Sequence, residues 1–433
     1  VRAVLTNFGT RGDLQPFLAL AVELRRHGHQ PALAFAPYYE SAIRHFGLEF
    51  VPIGPDFQQV QRDINAAIMQ MPESAERMRE LLAPLTSALP QVYEELSAAC
   101  LDADVLISGP AQPASRMIHE VTGIPFVSIQ VSHFGGTGTP ALQEASASLI
   151  NPFRAQLRLP PLRDPLTIDA NSPQLALYAM SRHVRPQQTD WPDHYHLTGY
   201  FVLDDEWWQP NDELRDFVEN GDPPIVITFG SMVHEDPEAL TRLLAESVGS
   251  IGCRAVIQHG WSGLAQHQLP SNILASGFIP HAWLFRRAAC VVHHGGGGTA
   301  STVFRSGVPS VFVPHGKIFD QHYWAKFAEE LGCATTAISY SELTAERLAT
   351  AISTILANPR FGKTAAALGA KIRQEQGERQ ARLLIEQLVA KIGLYHEEGP
   401  VPQPPSHQTE ARDERATRRK EFQQRQRSRR TAP

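Results

Sequence analysis

Short apolar runs alternate along this chain with longer segments whose apolar positions recur every three or four residues, and the alternation occurs twice over. Buried parallel strands covered by helices on both faces give such a pattern, because a strand of that kind has no solvent side. In the first half, Ala3 to Phe8, Ala32 to Ala36, Phe50 to Ile53, Val105 to Ser108 and Pro125 to Val131 read as strands. Between the first two, Pro16 to His27 reads as a helix with Phe17, Leu20, Ala21 and Leu24 on one face. Gln58 to Cys100 is helical by composition, and its scattered Met, Leu and Ile read either as core or as an apolar wall. A Trp- and Pro-rich passage, Trp207 to Asp212, interrupts the pattern. Strands resume at Ile225 to Phe229, Arg254 to Gln258, Ile273 to Gly277, Cys290 to His293 and Ser310 to Val313, and helical patterning returns from Glu346 to Leu394.

Two doubly wound α/β domains facing each other across a cleft are the expectation. The length of 433 residues agrees, being too great for one ordinary core. The boundaries read as 1–205 for the first domain, 206–222 for a linker, 223–395 for the second domain with its closing helices, and 396–433 for a tail. The tail carries Pro400, Pro402, Pro404 and Pro405 and then Arg418-Arg419-Lys420, a composition that buries too little surface to order itself, so disorder is expected there. After Thr409 nine basic side chains face four acidic ones, a local +5 within a total of −6. The remainder is therefore acidic and gives no reason to expect a nucleic-acid partner. The basic tail suggests weak contact with anionic lipid. Cys100, Cys253, Cys290 and Cys333 lie far apart in no metal-ligand spacing and read as buried thiols. No apolar run approaches the ~20 residues of a membrane span. The chain opens almost directly on a strand, so a cytoplasmic protein, peripheral to the membrane at most, is expected.

The distinctive chemistry lies at strand ends, where ligands of doubly wound sheets bind. His293-His294-Gly295-Gly296-Gly297-Gly298-Thr299 follows a strand and opens a helix. Side-chain-free residues there let backbone N–H groups close on an anion, the helix adds its positive end, and two histidines at the mouth can donate to phosphate oxygens. Asp320-Gln321 supplies a carboxylate and an amide suited to sugar hydroxyls, so a nucleotide-sugar is the implied ligand. In the first loop, Asp13 is the candidate general base; the alternative is a helix N-cap. Thr10 reads as a turn former or a phosphate ligand. No Asp-x-Asp motif accompanies the phosphate loop, so no metal is expected, and the first loop lacks the G-x-G-x-x-G of nicotinamide enzymes.

Pro280-His281-Ala282-Trp283-Leu284-Phe285, the glycine loop, Gly307-Val308-Pro309-Ser310 and Asp320-Gln321, in that order, resemble the donor half of GT-B glycosyltransferases. The nearest groups are sterol glucosyltransferases and bacterial enzymes that glycosylate antibiotics and lipopeptides. Gly9-Thr10-Arg11-Gly12-Asp13-Leu14-Gln15-Pro16 is similar to the first loop of the same group. The resemblance implies two Rossmann-like domains. It places His294, Gly296, Gly298, Thr299 and Ser231 at the donor diphosphate, Phe278 and Ile279 at the base, His281 at the ribose, and Asp320 and Gln321 at the hexose. It implies an inverting, metal-independent transfer of a hexose, with UDP-glucose ahead of dTDP-sugars, to a hydroxyl of a sterol, lipopeptide or polyketide. The nucleotide-sugar is then a co-substrate and no cofactor is expected. A nucleotide-sugar epimerase or a non-catalytic binder on the same fold are the alternatives. Two departures stand out: the loop before Asp320 is about two residues longer than the family spacing and carries Lys317, and Thr302 stands where some relatives have glutamate. Ser132 to Leu149, read as a loop with Gly135-Gly136-Thr137-Gly138, and the segment around Met69 and Met71 are candidates for an apolar acceptor pocket.

Overall fold

The computed structural model describes residues 1–56, 58–59, 74–131, 139–203, 208–260, 264, 269–315 and 320–397. Two parallel sheets form two lobes. The first contains β1 (Arg2–Thr6), β2 (Gln30–Phe35), β3 (Glu49–Pro52), β4 (Val105–Ser108), β5 (Phe126–Gln130), β6 (Leu175–Tyr178) and β7 (Tyr195–Leu197), in the order β3-β2-β1-β4-β5-β6-β7. The second contains β8 (Ile225–Thr228), β9 (Ala255–Gln258), β10 (Ile273–Ser276), β11 (Cys290–His293) and β12 (Ser310–Phe312), in the order β10-β9-β8-β11-β12. Each sheet reverses its winding once, between β1 and β4 and between β8 and β11. The crevices beyond those strand ends are where a doubly wound sheet receives a ligand.

Around the first sheet run α1 (Arg11–Arg26), α2 (Glu40–His45), α3 (Ala75–Ser87), α4 (Leu89–Ala99), α5 (Pro113–Thr122) and α6 (Pro140–Gln156). Around the second run α7 (Asp212–Glu219), α8 (Pro237–Ser250), α9 (His281–Phe285), α10 (Gly297–Ser306), α11 (Gln321–Glu330), α12 (Ala345–Ala357) and α13 (Pro359–Ile372). The last helix, α14 (Gly377–Glu397), returns to the first lobe, where Ala381 and Ile385 join the core beneath α1. A further apolar cluster belongs to both lobes: Met180, Val184 and Tyr200 pack with Phe304, Phe312, Trp324 and Leu368. The ion pairs His29–Glu386 at 2.8 Å and Arg382–Glu23 at 3.1 Å fix α14 on α1.

Several expectations are corrected. The first helix begins at Arg11 and passes through Pro16 instead of starting there. Among the described residues of the helical stretch 58–100, α3 and α4 are separate helices broken at Ala88. Pro140 onward is the helix α6 and not part of a loop, with Thr139 capping it by accepting from Leu142 N at 3.2 Å. Strands β6 and β7 were not read, nor was the helix α7, whose Leu214 and Val218 pack on the second sheet. Of the cysteines, Cys253 is only half-buried, and all four are free thiols. Met69, Met71, Gly135 to Gly138, Lys317 with the loop 316–319, and the tail after 397 lie outside the described residues. Among the described residues no helix is long and apolar enough to cross a membrane.

Candidate functional site

The first loop is built by β1 handing over to α1. Gly9 has φ +141, and a side chain there would meet the Asp13 carboxylate at 2.3 Å. Thr10 is the helix N-cap, so the reading of Asp13 as the N-cap is corrected: Asp13 sits at the third helical position and reaches back. Its Oδ2 accepts from Thr10 N at 2.7 Å and from Thr10 Oγ1 at 3.0 Å. The hydroxyls of Tyr38 and Tyr39 donate to Gly9 O from outside, bracing the loop. Burial pushes the Asp13 carboxyl above its ordinary value, against the pull of the two Thr10 bonds, so Asp13 is more basic than a free aspartate.

The second loop is built by β11 handing over to α10. His293 is fully buried, packs on Phe312 at 4.2 Å between ring centroids, and accepts from Gly295 N at 3.2 Å. It turns the chain, and the expectation of two histidines at the mouth is corrected to one. That one is His294, 6% exposed. Its ring occupies space left by two glycines, since a Cβ on Gly296 would lie 2.5 Å from Nε2 and one on Gly230 3.0 Å from Cε1. Nδ1 is buried without a partner. Burial, reinforced by His281 and His234, takes the ring down to about 3, so it is a neutral N–H donor at neutral pH. Gly296 caps α10, and Gly298 lies against Gly12, its would-be Cβ 3.6 Å from the Gly12 Cα. The N-termini of α1 and α10 thus open on one cavity from opposite lobes, a site with two positive helix ends for an anion.

Asp320 and Asp13 meet across this cavity. Asp320 is buried, accepts from Trp324 Nε1 at 2.6 Å, and is pushed up to about 7, by burial first and then by the neighbouring Asp13 charge. The Oε1 of Gln321 is taken by His315 N at 2.7 Å, and its Nε2 lies 3.8 Å from the Met232 sulfur. On the base side, Phe278 is 48% exposed with the Arg11 guanidinium 3.8 Å from its ring centroid. Ile279 is buried. His281 bonds through Nε2 to Gln258 Oε1 at 2.9 Å, and Gln258 Nε2 donates to Ile279 O at 3.0 Å, so one glutamine ties the ribose candidate to the base candidate. Ser231 and the buried Thr299 line the cavity. The Thr302 hydroxyl is spent on Gly298 O at 2.9 Å.

All the candidates except Ile279 line a single cavity of about 730 Å³ spanning both lobes. Its other end is an apolar chamber formed by Met78, Leu82, Leu85, Leu89, Leu142 and Ile150. Sequence reasoning missed Arg11, Gln258 and the stacked group His234, His315 and Tyr340 behind Gln321, with His315 and Tyr340 at 4.4 Å. Only the strand-end position could have signalled Gln258. Among the described residues no group of three His, Cys, Asp or Glu is arranged to hold a metal.

Comparison with known proteins fits this geometry. Residues 3–134 match the N-terminal domain of glycosyltransferase family 28, and residues 242–377 match the C-terminal domain of the erythromycin biosynthesis protein CIII-like family. The chain is 30% identical over 431 residues to the O-mycaminosyltylonolide 6-deoxyallosyltransferase of Streptomyces fradiae, covering 89% of this chain and 97% of that protein. It is 29% identical over 442 residues to a sterol 3-beta-glucosyltransferase of Arabidopsis thaliana, covering 94% of this chain and 69% of that protein. The fold is similar to the crystal structure of the glycotransferase of kitacinnamycin, with TM-score 0.69 at 22% identity over 90% of this chain and 99% of that one.

Proposed function

The chain belongs to the glycosyltransferases that carry the family 28 N-terminal domain, as a nucleotide-sugar-dependent hexosyltransferase of the GT-B fold, and we propose how its residues divide the reaction. The donor is a UDP- or dTDP-hexose, UDP-glucose first. Its diphosphate lies between the N-termini of α1 and α10 with Thr10, Ser231, Gly296, Gly298, Thr299 and His294 around it. Its base lies at Phe278 and Ile279, its ribose at His281, and its hexose at Asp320 and Gln321. The first lobe, with the returning helix α14, holds the acceptor, and the second lobe, from α7 to α13, holds the donor.

An acceptor hydroxyl attacks the anomeric carbon as its proton passes to Asp13, and the bond from that carbon to the diphosphate oxygen breaks. A single displacement of this kind inverts the anomeric centre. Negative charge developing on the diphosphate is met by N–H dipoles already in place, so little reorganisation is required. No metal ion is required in this reading. The carrying observation is that Asp13 and the N-terminus of α1 from one lobe line the same cavity as Asp320 and the N-terminus of α10 from the other, with Gly298 against Gly12. The apolar chamber beside them supports transfer to a hydrophobic acceptor over epimerisation, which needs no second substrate. The basic tail adds weak attraction to an anionic membrane surface.

Thermal shift across UDP- and dTDP-sugars tests the reading. A donor present at about a hundred times its Kd stabilises the folded state by ~2.7 kcal/mol, a rise in Tm of several degrees. No shift with any sugar nucleotide or free nucleoside diphosphate would overturn it.

A further inference from the structure

The lining of the cavity includes hydrogen-bond acceptors that no described residue uses. Gln130 is the last residue of β5, lines the cavity and is 4% exposed. Its Nε2 donates to Asn171 Oδ1 at 2.7 Å. Asn171 is itself held, receiving Ser128 Oγ at 3.4 Å and donating through Nδ2 to Tyr195 Oη at 3.3 Å. In this arrangement the carbonyl oxygen Oε1 of Gln130 is buried with no partner among the described residues. At the end of β1, two strands away, Asn7 Oδ1 is likewise buried and unpartnered. A side chain at Gly109, after the intervening β4, would collide with that oxygen at 2.1 Å. Asn7 reaches the main-chain oxygen of Asp13 at 3.4 Å and so belongs to the reacting end of the chamber. Gln130 does not.

An unpartnered amide oxygen in an apolar enclosure disfavours every ligand that leaves it dry and favours one that donates to it. The attacking hydroxyl of the acceptor is committed to Asp13. We infer that the chamber takes an apolar acceptor bearing a second O–H or N–H group, which Gln130 reads, so that molecules with a single hydroxyl are poor substrates. Gln130 is a specificity-determining residue that touches the acceptor at a group other than the hydroxyl that reacts. A ketone or carboxylate at that position is rejected, because two acceptor oxygens repel. The inference rests on the transfer reading above and narrows its acceptor class.

The test uses the full chain, UDP-glucose or dTDP-glucose, whichever binds, and two acceptors of one rigid steroid skeleton: a mono-ol, and the diol with one hydroxyl at each end. A site that hydrogen-bonds a substrate hydroxyl discriminates strongly against the analogue lacking it, so the diol is expected to have a kcat/KM on the order of tenfold or more above the mono-ol. In Gln130→Met, which keeps the side-chain length and removes the orphaned oxygen, that ratio should fall to about one, with sugar-nucleotide binding unchanged. Equal kcat/KM for the two acceptors in the wild type would overturn the inference without any variant having to fold. So would an unchanged ratio in Gln130→Met, or no turnover of either acceptor by protein that binds the sugar nucleotide. Failure of the transfer reading itself looks different, because then no sugar nucleotide binds.

Discussion

In the proposed reaction Asp13 carries two duties through one carboxylate. Oδ2 closes the helix cap with Thr10, which leaves Oδ1 for the acceptor proton. Asparagine at this position keeps a carbonyl oxygen for the Thr10 N–H but no longer takes a proton at neutral pH, so Asp13→Asn separates the duties. A lost cap would cost about 1 kcal/mol, whereas a lost general base lowers kcat by roughly 10² to 10⁴. Asp13→Asn should therefore melt close to the wild type and bind UDP with unchanged affinity, while single-turnover transfer collapses by that factor. Wild-type kcat in this variant would assign Asp13 to capping alone. The pair Asp320-Gln321 and the histidine beside four glycines were legible because their types and order are chemically unusual. Gln130 and Gln258 were not, since a glutamine at a strand end has no signal until its neighbours are known. The division between His293 and His294 was also hidden, because it depends on which ring the turn at Gly295 buries.

At the level of elements, the strands were legible because continuous burial makes each a short apolar block, as in β8 and β11. β6 and β7 are four and three residues long amid Pro, Arg and Asp, too short to stand out. The start of α1 was misplaced because a proline was taken for a first-turn residue, whereas Thr10 and Asp13 set the true end. What no one-dimensional pattern gives is close helix approach. On α13, a Cβ at Gly369 would sit 2.7 Å from the Gly307 Cα and 2.9 Å from Phe304 O at the C-terminal end of α10. α10 is the helix whose other end holds the phosphate loop, so its seat on α13 sets the loop's position. Gly369→Ala should cost about 1–3 kcal/mol, the usual penalty of overpacking, partly offset by the better helix propensity of alanine. Chemical denaturation measures the loss, and a parallel UDP titration should show weaker binding as α10 shifts. Unchanged stability would mean that the two helices separate freely.

Several buried histidines and carboxyls with shifted pKa values are found where the two lobes meet, and their balance shapes how stability depends on pH. Burial holds His234 and His281 at about 4, His294 at about 3, and His293 and His315 well below 6.5. Unfolded, each titrates near 6.5. Below that pH the unfolded chain binds more protons than the native one, so the stability these groups allow is complete above 6.5 and is lost as pH falls toward 4. Asp320 acts in the opposite sense: raised from 3.8 to about 7, its contribution is complete below 4 and is lost as pH rises through 7. Asp13, Glu375 and Glu378 are raised by burial as well and work in the same direction as Asp320. Between pH 5 and 6.5 the five depressed imidazoles outnumber the four raised carboxyls that oppose them. Tm should accordingly climb with pH across that window and level off near 7. In His234→Gln one imidazole is removed and the climb should be shallower; in Asp320→Asn an opposing group is removed and it should be steeper. Melting curves in a series of buffers from pH 5 to 8 check both signs. A Tm that falls from pH 5 to 6.5 would mean that the raised carboxyls outweigh the depressed imidazoles.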